Sequence, residues 1–163
     1  MNPCHENPRV LSRTDAVAWI DRHQGAGRVV VFTNGVFDLL HPGHVRYLQQ
    51  ARALGDALVV GLNSDDSVRR NKGPQRPITP EAERAEILSA LECVDIVVIF
   101  DEDTPAAIIG ACHPDILVKG ADWPADQIVG RDTVELRGGR VVRVPVEPGH
   151  STSAIVARIR DLR

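Results

Sequence analysis

The chain has only three cysteines, Cys4, Cys93 and Cys112, an odd number with no CxxC spacing. That argues against a disulfide framework and against a structural zinc site. Cys93 and Cys112 sit among apolar residues and read as small core side chains. No apolar run approaches the roughly 18–20 residues needed to span a bilayer. Residues 1–10 lack the apolar segment of a secretory signal, so a cytoplasmic protein is expected, with no membrane partner. A basic surplus is missing too: 19 Lys and Arg stand against 22 Asp and Glu, a net charge of −3. General nucleic-acid binders carry a strong basic excess, so no nucleic-acid partner is expected. GxGxxG does not follow the first apolar strand, which argues against a dinucleotide dehydrogenase. GxxxxGK[ST] is absent, which argues against a P-loop kinase. No internal repeat, linker or low-complexity stretch is present.

What is present suits one domain over residues 1–163. The chain is 43% hydrophobic and 25% charged, ordinary values for a protein with a proper core. Residues 1–10 read as a loose end, followed by an N-terminal helix within 11–28. Its apolar positions are Ala16, Val17, Trp19 and Ile20, and Gly25 and Gly27 end it. Residues 29–32 (VVVF) form an apolar run suited to a parallel strand buried on both faces. Thr33, Asn34 and Gly35 read as a turn. A helix is expected over 42–54, with Gly55 as its stop. The alternation continues with strands at 57–62, 95–100, 115–119 and 140–144. Helices are expected after Asn63-Ser64-Asp65, over 80–91 with Thr79 as N-cap, over 104–111 and over 153–163. Residues 71–79 (NKGPQRPIT) read as a polar, mobile loop. Residues 123–130 stay unassigned. Strands alternating with helices predict an α/β fold: a five-stranded parallel sheet between helical layers. Ligands in such sheets bind outside the carboxyl ends of the strands.

The strongest chemical signal is Gly35-Val36-Phe37-Asp38-Leu39-Leu40-His41-Pro42-Gly43-His44. It follows the first buried strand and opens a helix. His41 and His44 are three apart, so both imidazoles can face one object. Gly43 between them lets a ligand approach the backbone. The helix start adds free N–H groups and a positive dipole end, so the segment suits an anion such as a triphosphate. The bland alternative is a capping His41 and a surface His44. A second signal, Gly149-His150-Ser151-Thr152-Ser153, precedes the last helix and can hold β- and γ-phosphates; alone, it would read as an N-cap. Lys72 lies in a basic stretch with Arg69, Arg70 and Arg76, where a flexible cation can neutralise triphosphate charge. At the end of the fourth strand, Lys119 can meet a phosphate, and Asp122 can meet sugar hydroxyls or a nucleotide amine, beside Trp123. Asp38 reads as ordering its own turn beside the substrate.

The segment from Gly35 to His44 resembles the signature of the cytidylyltransferase-like nucleotidyltransferases, roughly G-x-F-D-x-x-H-x-G-H. The resemblance runs from about Val29 to the C-terminus. It implies a Rossmann-like α/β/α sandwich in which His41 and His44 stabilise the α-phosphate and its departing pyrophosphate. Asn34, Gly35, Val36, Phe37 and Gly43 would line the nucleotide beside them. Arg84 resembles a phosphate-binding arginine of the family, the alternative being an exposed ion pair with Glu81 or Glu83. The glycerol-phosphate cytidylyltransferases carry an arginine where this chain has Val146. The longer strings FTNGVFDLLHPGHVRYLQQARALGD, LNSDDSVRRNKGPQRPI and LVKGADW are similar to the adenylyltransferases of heptose 1-phosphate. That subgroup implies ATP and a sugar phosphate as substrates, Mg2+ accompanying ATP, and ADP-heptose for lipopolysaccharide precursors as product. It usually has Cys where Val36 stands. The 163 residues leave no room for a fused sugar kinase, which is expected as a separate chain. The family often pairs through the region here spanning 92–95, so a homodimer is expected. The rivals are a cytidylyltransferase acting on glycerol 3-phosphate, an aminoacyl-tRNA synthetase fragment and a nucleotide-binding regulatory module. A KMSKS-like loop is absent, and binding alone needs neither histidine.

Overall fold

The computed structural model describes residues 7–146 and 149–162. Cys4 and most of the expected loose end lie outside the described residues. Among these residues six parallel strands form one sheet: β1 (Val10–Leu11), β2 (Val30–Gly35), β3 (Ala57–Asn63), β4 (Ile96–Phe100), β5 (Ile116–Gly120) and β6 (Arg140–Val144). Their spatial order is β1-β4-β3-β2-β5-β6. The sheet therefore has six strands, not the expected five. The extra one is β1, a two-residue strand beside β4 with Val10 opposite Val97. Two residues are too few to show an alternation, and residues 9–11 entered the sequence reading as the edge of a loose end.

Among the described residues seven helices cover the sheet: α1 (Arg13–Gly25), α2 (Pro42–Arg52), α3 (Asp65–Lys72), α4 (Glu81–Ser89), α5 (Ala106–Cys112), α6 (Arg131–Glu135) and α7 (Thr152–Arg160). The apolar strands alternate between two cores. Val30 and Phe32 face one side with Ala16, Ile20, Ile108 and Ile109 of α1 and α5. Val31 faces the other with Leu48, Ala51, Ala85 and Leu88 of α2 and α4. Both faces are dry, which is why these strands read as continuous apolar runs. Each fully buried Leu or Phe among them contributes roughly 1.5–3 kcal/mol. Among the described residues no helix is long and apolar enough to cross a membrane.

Several boundaries move, each for a local reason. Thr33, Asn34 and Gly35 are not a turn but the end of β2, paired with Val60, Gly61 and Leu62. Sheet pairing overrides the turn preference of Asn and Gly. α3 runs through Lys72, so the loop expected over 71–79 begins at Gly73. Thr79 does not cap α4; Pro80 occupies that position without a side-chain bond. Thr79 is committed elsewhere, its N–H to Asp38 and its carbonyl to Arg84. The unassigned stretch contains a 3-10 turn at Ala125–Gln127, and α6 follows it. Both are shorter than the helical repeat needs to show itself.

The strand order fixes where a site can form. From β2 the chain runs through β3 to β4, then returns to the other side of β2 as β5. The carboxyl ends of β2 and β5 thus flank the point where the winding reverses.

Candidate active site

A cleft of about 740 Å³ opens at that point. Its floor is the stretch from Asn34 to Asp38, with His41, Gly43, His44 and Tyr47 from the first turns of α2. Lys72 and Arg76 form one rim, Lys119, Asp122 and Trp123 another, and His150 to Ser153 a third. Of the seventeen sequence-predicted residues, the structure leaves only Arg84 and Gly149 off this lining.

The signature loop is held from several sides. Phe37 and Leu39 take φ of 48° and 49°, left-handed conformations that cost a non-glycine residue about 1 kcal/mol each. Asp38 between them is 1% exposed. Its carboxylate accepts from Arg76 Nε at 2.8 Å, from the Ile78 N–H at 2.9 Å and from the Thr79 N–H at 2.9 Å. Burial alone would raise its pKa. The Ile78 and Thr79 N–H groups and Arg76 outweigh burial and hold it below the usual carboxylate range. The Asp38 carbonyl accepts the Thr152 hydroxyl at 2.6 Å. Asp38 therefore orders its turn through partners outside it, and three of the roughly four acceptor positions of its carboxylate are taken. It ties the signature loop to residues 76–79 and, through its carbonyl, to the start of α7.

His41 is the N-cap of α2, and its Nδ1 accepts weakly from the His44 N–H at 3.4 Å. That contact leaves the ring proton on Nε2, the atom free to face a ligand. The His41 and His44 rings stack with centroids 3.7 Å apart and planes 18° apart. Phe37 closes the far side of His44, edge-on at 5.3 Å. Gly43 is required here: a Cβ on it would meet His150 Cβ at 2.9 Å and the His41 ring at 3.1 Å. Burial first, then the His150 charge, lowers the His41 pKa. For His44, burial first, then His41 and Lys72, push the pKa down to about 4, with Asp38 opposing. His44 Nδ1 is buried without a hydrogen-bond partner.

This depression predicts an acid sensitivity. Between pH 6.5 and about 4 the unfolded chain protonates His44 while the folded protein keeps it neutral. Its stabilising contribution is complete above that window and falls as pH drops through it. His44→Ala should therefore flatten stability against pH across the window, by on the order of 2 kcal/mol after discounting for solvent access. Denaturant titrations at pH 6.5 and 4.5 measure it; parallel profiles for wild type and variant would refute the assignment.

Around the histidines the other predicted residues divide. Ser151 caps α7 by accepting the Ala154 N–H at 3.0 Å, which leaves its own hydroxyl proton available. The Thr152 hydroxyl proton is committed to the Asp38 carbonyl, so only the Thr152 backbone N–H can serve a phosphate. Gly149 takes φ 84° and sets the direction of the turn into α7. Lys119 Nζ donates to Asn34 Oδ1, joining β5 to β2 across the cleft floor, and burial lowers its pKa to about 8. Lys72 sits at the C-terminal end of α3, a favourable place for a cation. Partial desolvation at the rim and then Arg76 draw its pKa down, against Asp38.

Arg84 requires a correction. It is 1% exposed and lies behind the site. Its guanidinium donates to the carbonyls of Thr79, Val36 and Asn63 and to Asp65 Oδ1 at 2.8 Å. It is off the cleft lining and pairs with Asp65 rather than with Glu81 or Glu83; Glu81 instead accepts the Asp65 N–H. A surface arginine and a buried brace look alike in sequence, because two of the three carbonyls, those of Val36 and Asn63, belong to distant segments. Sequence reasoning also missed His150, although it stands inside a motif already singled out. It further missed that Arg76 is the partner of Asp38.

A second depression, of about 760 Å³, lies at the end of β4. Its charges are paired among themselves, Arg13 with Glu102 and Arg70 with Asp103, each at 2.6 Å.

Comparison with known proteins places this geometry in a family. A family model described as Cytidylyltransferase-like matches residues 32–158. The chain is 58% identical over 142 residues to the bifunctional protein HldE of Hyphomonas neptunium, covering 87% of this chain and 29% of that one. It is 60% identical over 135 residues to the bifunctional protein HldE of Syntrophotalea carbinolica, covering 83% and 28%. It thus spans about three-tenths of the length of these curated relatives. Among solved structures, the lipopolysaccharide core biosynthesis protein from Thermoplasma volcanium superposes with a TM-score of 0.61 at 34% identity, over 74% of this chain and 98% of that one.

Proposed function

We propose a specific reaction for this cleft from one established premise: the chain belongs to the cytidylyltransferase-like family of nucleotidyltransferases. The reaction is adenylyl transfer to a heptose 1-phosphate, with release of pyrophosphate and formation of ADP-heptose for lipopolysaccharide precursors. The observation that carries it is the stacked His41–His44 pair at the start of α2, facing the start of α7 across the cleft. The likeness to the lipopolysaccharide core biosynthesis protein of Thermoplasma volcanium supports the pathway.

An oxygen of the sugar phosphate attacks the α-phosphorus in line, and pyrophosphate leaves. The attacking phosphate is already ionised at pH 7, so no general base is needed. Catalysis is then positioning plus charge stabilisation. His41 and His44 donate to the α-phosphate and to the bridging oxygen as charge moves there. The N–H groups at the start of α7, with the Ser151 and Ser153 hydroxyls, hold the outer phosphates. Lys72 follows the leaving group. Lys119 holds the phosphate of the incoming sugar, Asp122 its hydroxyls, and the half-exposed Trp123 ring covers its apolar face. Mg2+ arrives with ATP as part of the substrate. The described residues contain no cluster of three or more His, Cys, Asp or Glu fit to hold a metal. Asp38, the carboxylate beside the histidines, already accepts three hydrogen bonds. The ion would be held largely by phosphate oxygens and water.

ATP should be turned over much better than CTP, because exposed Val146 lines the cleft where the glycerol-phosphate cytidylyltransferases carry an arginine. Pyrophosphate release with each nucleotide and a panel of sugar phosphates measures this. Equal or better turnover with CTP would favour the cytidylyl alternative.

A homodimer through residues 92–95 belongs to the same proposal. Val94 is buried, and Asp95 is engaged with the Leu58 N–H and with Arg52, so Glu92 and half-buried Cys93 would carry the contact. A single monomer mass at micromolar concentration would contradict it.

A further inference from the structure

We propose that His150 is a third imidazole contact for the terminal phosphates of the nucleotide, supplied by the α7 side of the cleft. The inference rests on the triphosphate reading above and extends it to a side chain that the two-histidine signature does not contain. His150 stands directly before Ser151, the N-cap of α7, and lines the cleft. Its Cβ comes so close to α2 that any side chain at position 43 would strike it. The starts of α2 and α7 therefore converge, and each brings imidazole to the junction.

The ring geometry suits a bridging anion. The His150 ring lies 6.3 Å from the His41 ring, with planes 21° apart. Measured between centroids, that separation is wider than the 3.7 Å of the His41–His44 pair. One phosphoryl group accepting two hydrogen bonds of about 2.8 Å can span it. The His41–His44 pair, by contrast, is already in stacking contact at 3.7 Å. His150 thus reaches a part of the ligand farther along α7 than the α-phosphate.

The charge balance points the same way. Burial is the main reason the His41 and His44 pKa values are low; His150 adds to it at His41, and His41 and Lys72 add to it at His44. The opposing carboxylate is Asp38, and its oxygens are taken by Arg76, Ile78 and Thr79. Imidazoles that raise one another's cost of protonation form a wall that a polyanion relieves.

Inorganic tripolyphosphate and AMP separate the outer phosphates from the rest of the nucleotide. Calorimetric titration of each into the full chain and into His150→Ala and His150→Gln tests the assignment, together with ATP kinetics. In His150→Ala, tripolyphosphate affinity and KM for ATP should each worsen about tenfold, the loss of one charge-assisted hydrogen bond. AMP affinity should not change, and kcat should stay within about threefold, because the contact is made before and during transfer alike. His150→Gln, which keeps a donor, should recover most of the loss. Wild-type tripolyphosphate affinity in His150→Ala would overturn the inference. So would equal weakening of AMP and tripolyphosphate, or equal impairment of the two variants. If wild type transfers nucleotide and the variants match it, this inference alone falls. If wild type turns over no nucleotide while the tripolyphosphate difference stands, the transferase reading falls and the phosphate contact remains.

Discussion

His44→Ala and His41→Ala should each lower kcat by roughly 10²–10³, about 3–4 kcal/mol, the usual loss for one preorganised donor to a developing charge. The reason is timing. Negative charge on the α-phosphate and on the departing pyrophosphate is greatest in the transition state, so donors aimed there act mainly on kcat. ATP affinity should fall less, because the start of α7 and Lys72 still face the outer phosphates. The two variants should differ in stability. His41 caps α2 only through a 3.4 Å contact, so its loss costs about 0.5–1 kcal/mol. His44 packs between His41 and Phe37, and truncating it opens space in that stack. Single-turnover rates, ATP Kd and melting temperature for both variants decide the matter. A lowered melting temperature with unchanged kcat would leave the residue a structural role only.

Asp38→Ala should cost on the order of 3 kcal/mol of folding stability, the range seen when one partner of a buried ion pair is removed. It strands the Arg76 guanidinium and the N–H groups of Ile78 and Thr79. It also removes the clamp on the left-handed Phe37 and Leu39. Activity should fall beyond the stability loss, because the signature loop is then no longer held to residues 76–79. Asp38→Asn keeps the volume and one acceptor and should lie between wild type and alanine. The pH dependence has a fixed sign. The folded pKa is held down, so this stabilisation is present above pH 3.8 and disappears as pH falls through the folded value. The gap between wild type and Asp38→Ala should therefore close in strong acid. A loss below about 1 kcal/mol at pH 7, measured by denaturant unfolding, would contradict the clamp.

The roles of Asp38 and Arg84 rest on partners that the local sequence does not show. Both are charged residues in a polar stretch, where sequence offers a turn, a base, a phosphate contact or an ion pair. Neither faces the solvent. Asp38 bonds to residues about forty positions away, and Arg84 to carbonyls of Val36 and Asn63 that lie on other elements. Local spacing has no access to such partners. The expected mobile loop over 71–79 was too broad for the same reason. α3 holds its beginning, and Asp38 holds its end.

His41 and His44 were legible because a helix carries both sides of the relationship. Residues three apart on a helix that starts at Pro42 must lie together, whatever the rest of the chain does. The buried strands were legible because a strand covered on both faces admits nothing polar. What sequence alone determined is therefore local or periodic: the alternation of strands and helices, the parallel sheet, the two-histidine turn and the likeness to a nucleotidyltransferase family. The tertiary structure decided what depends on distant partners. It placed β5 beside β2, which sets Lys119 against Asn34 across the cleft floor. It buried Arg84 behind the signature loop and turned Asp38 into a clamp. It brought α7 against α2, so that His150, more than one hundred residues from His41 in the chain, stands in the same wall. Hydrogen bonds and close approaches between segments far apart in sequence follow from packing the two faces of the sheet, and no local pattern encodes them.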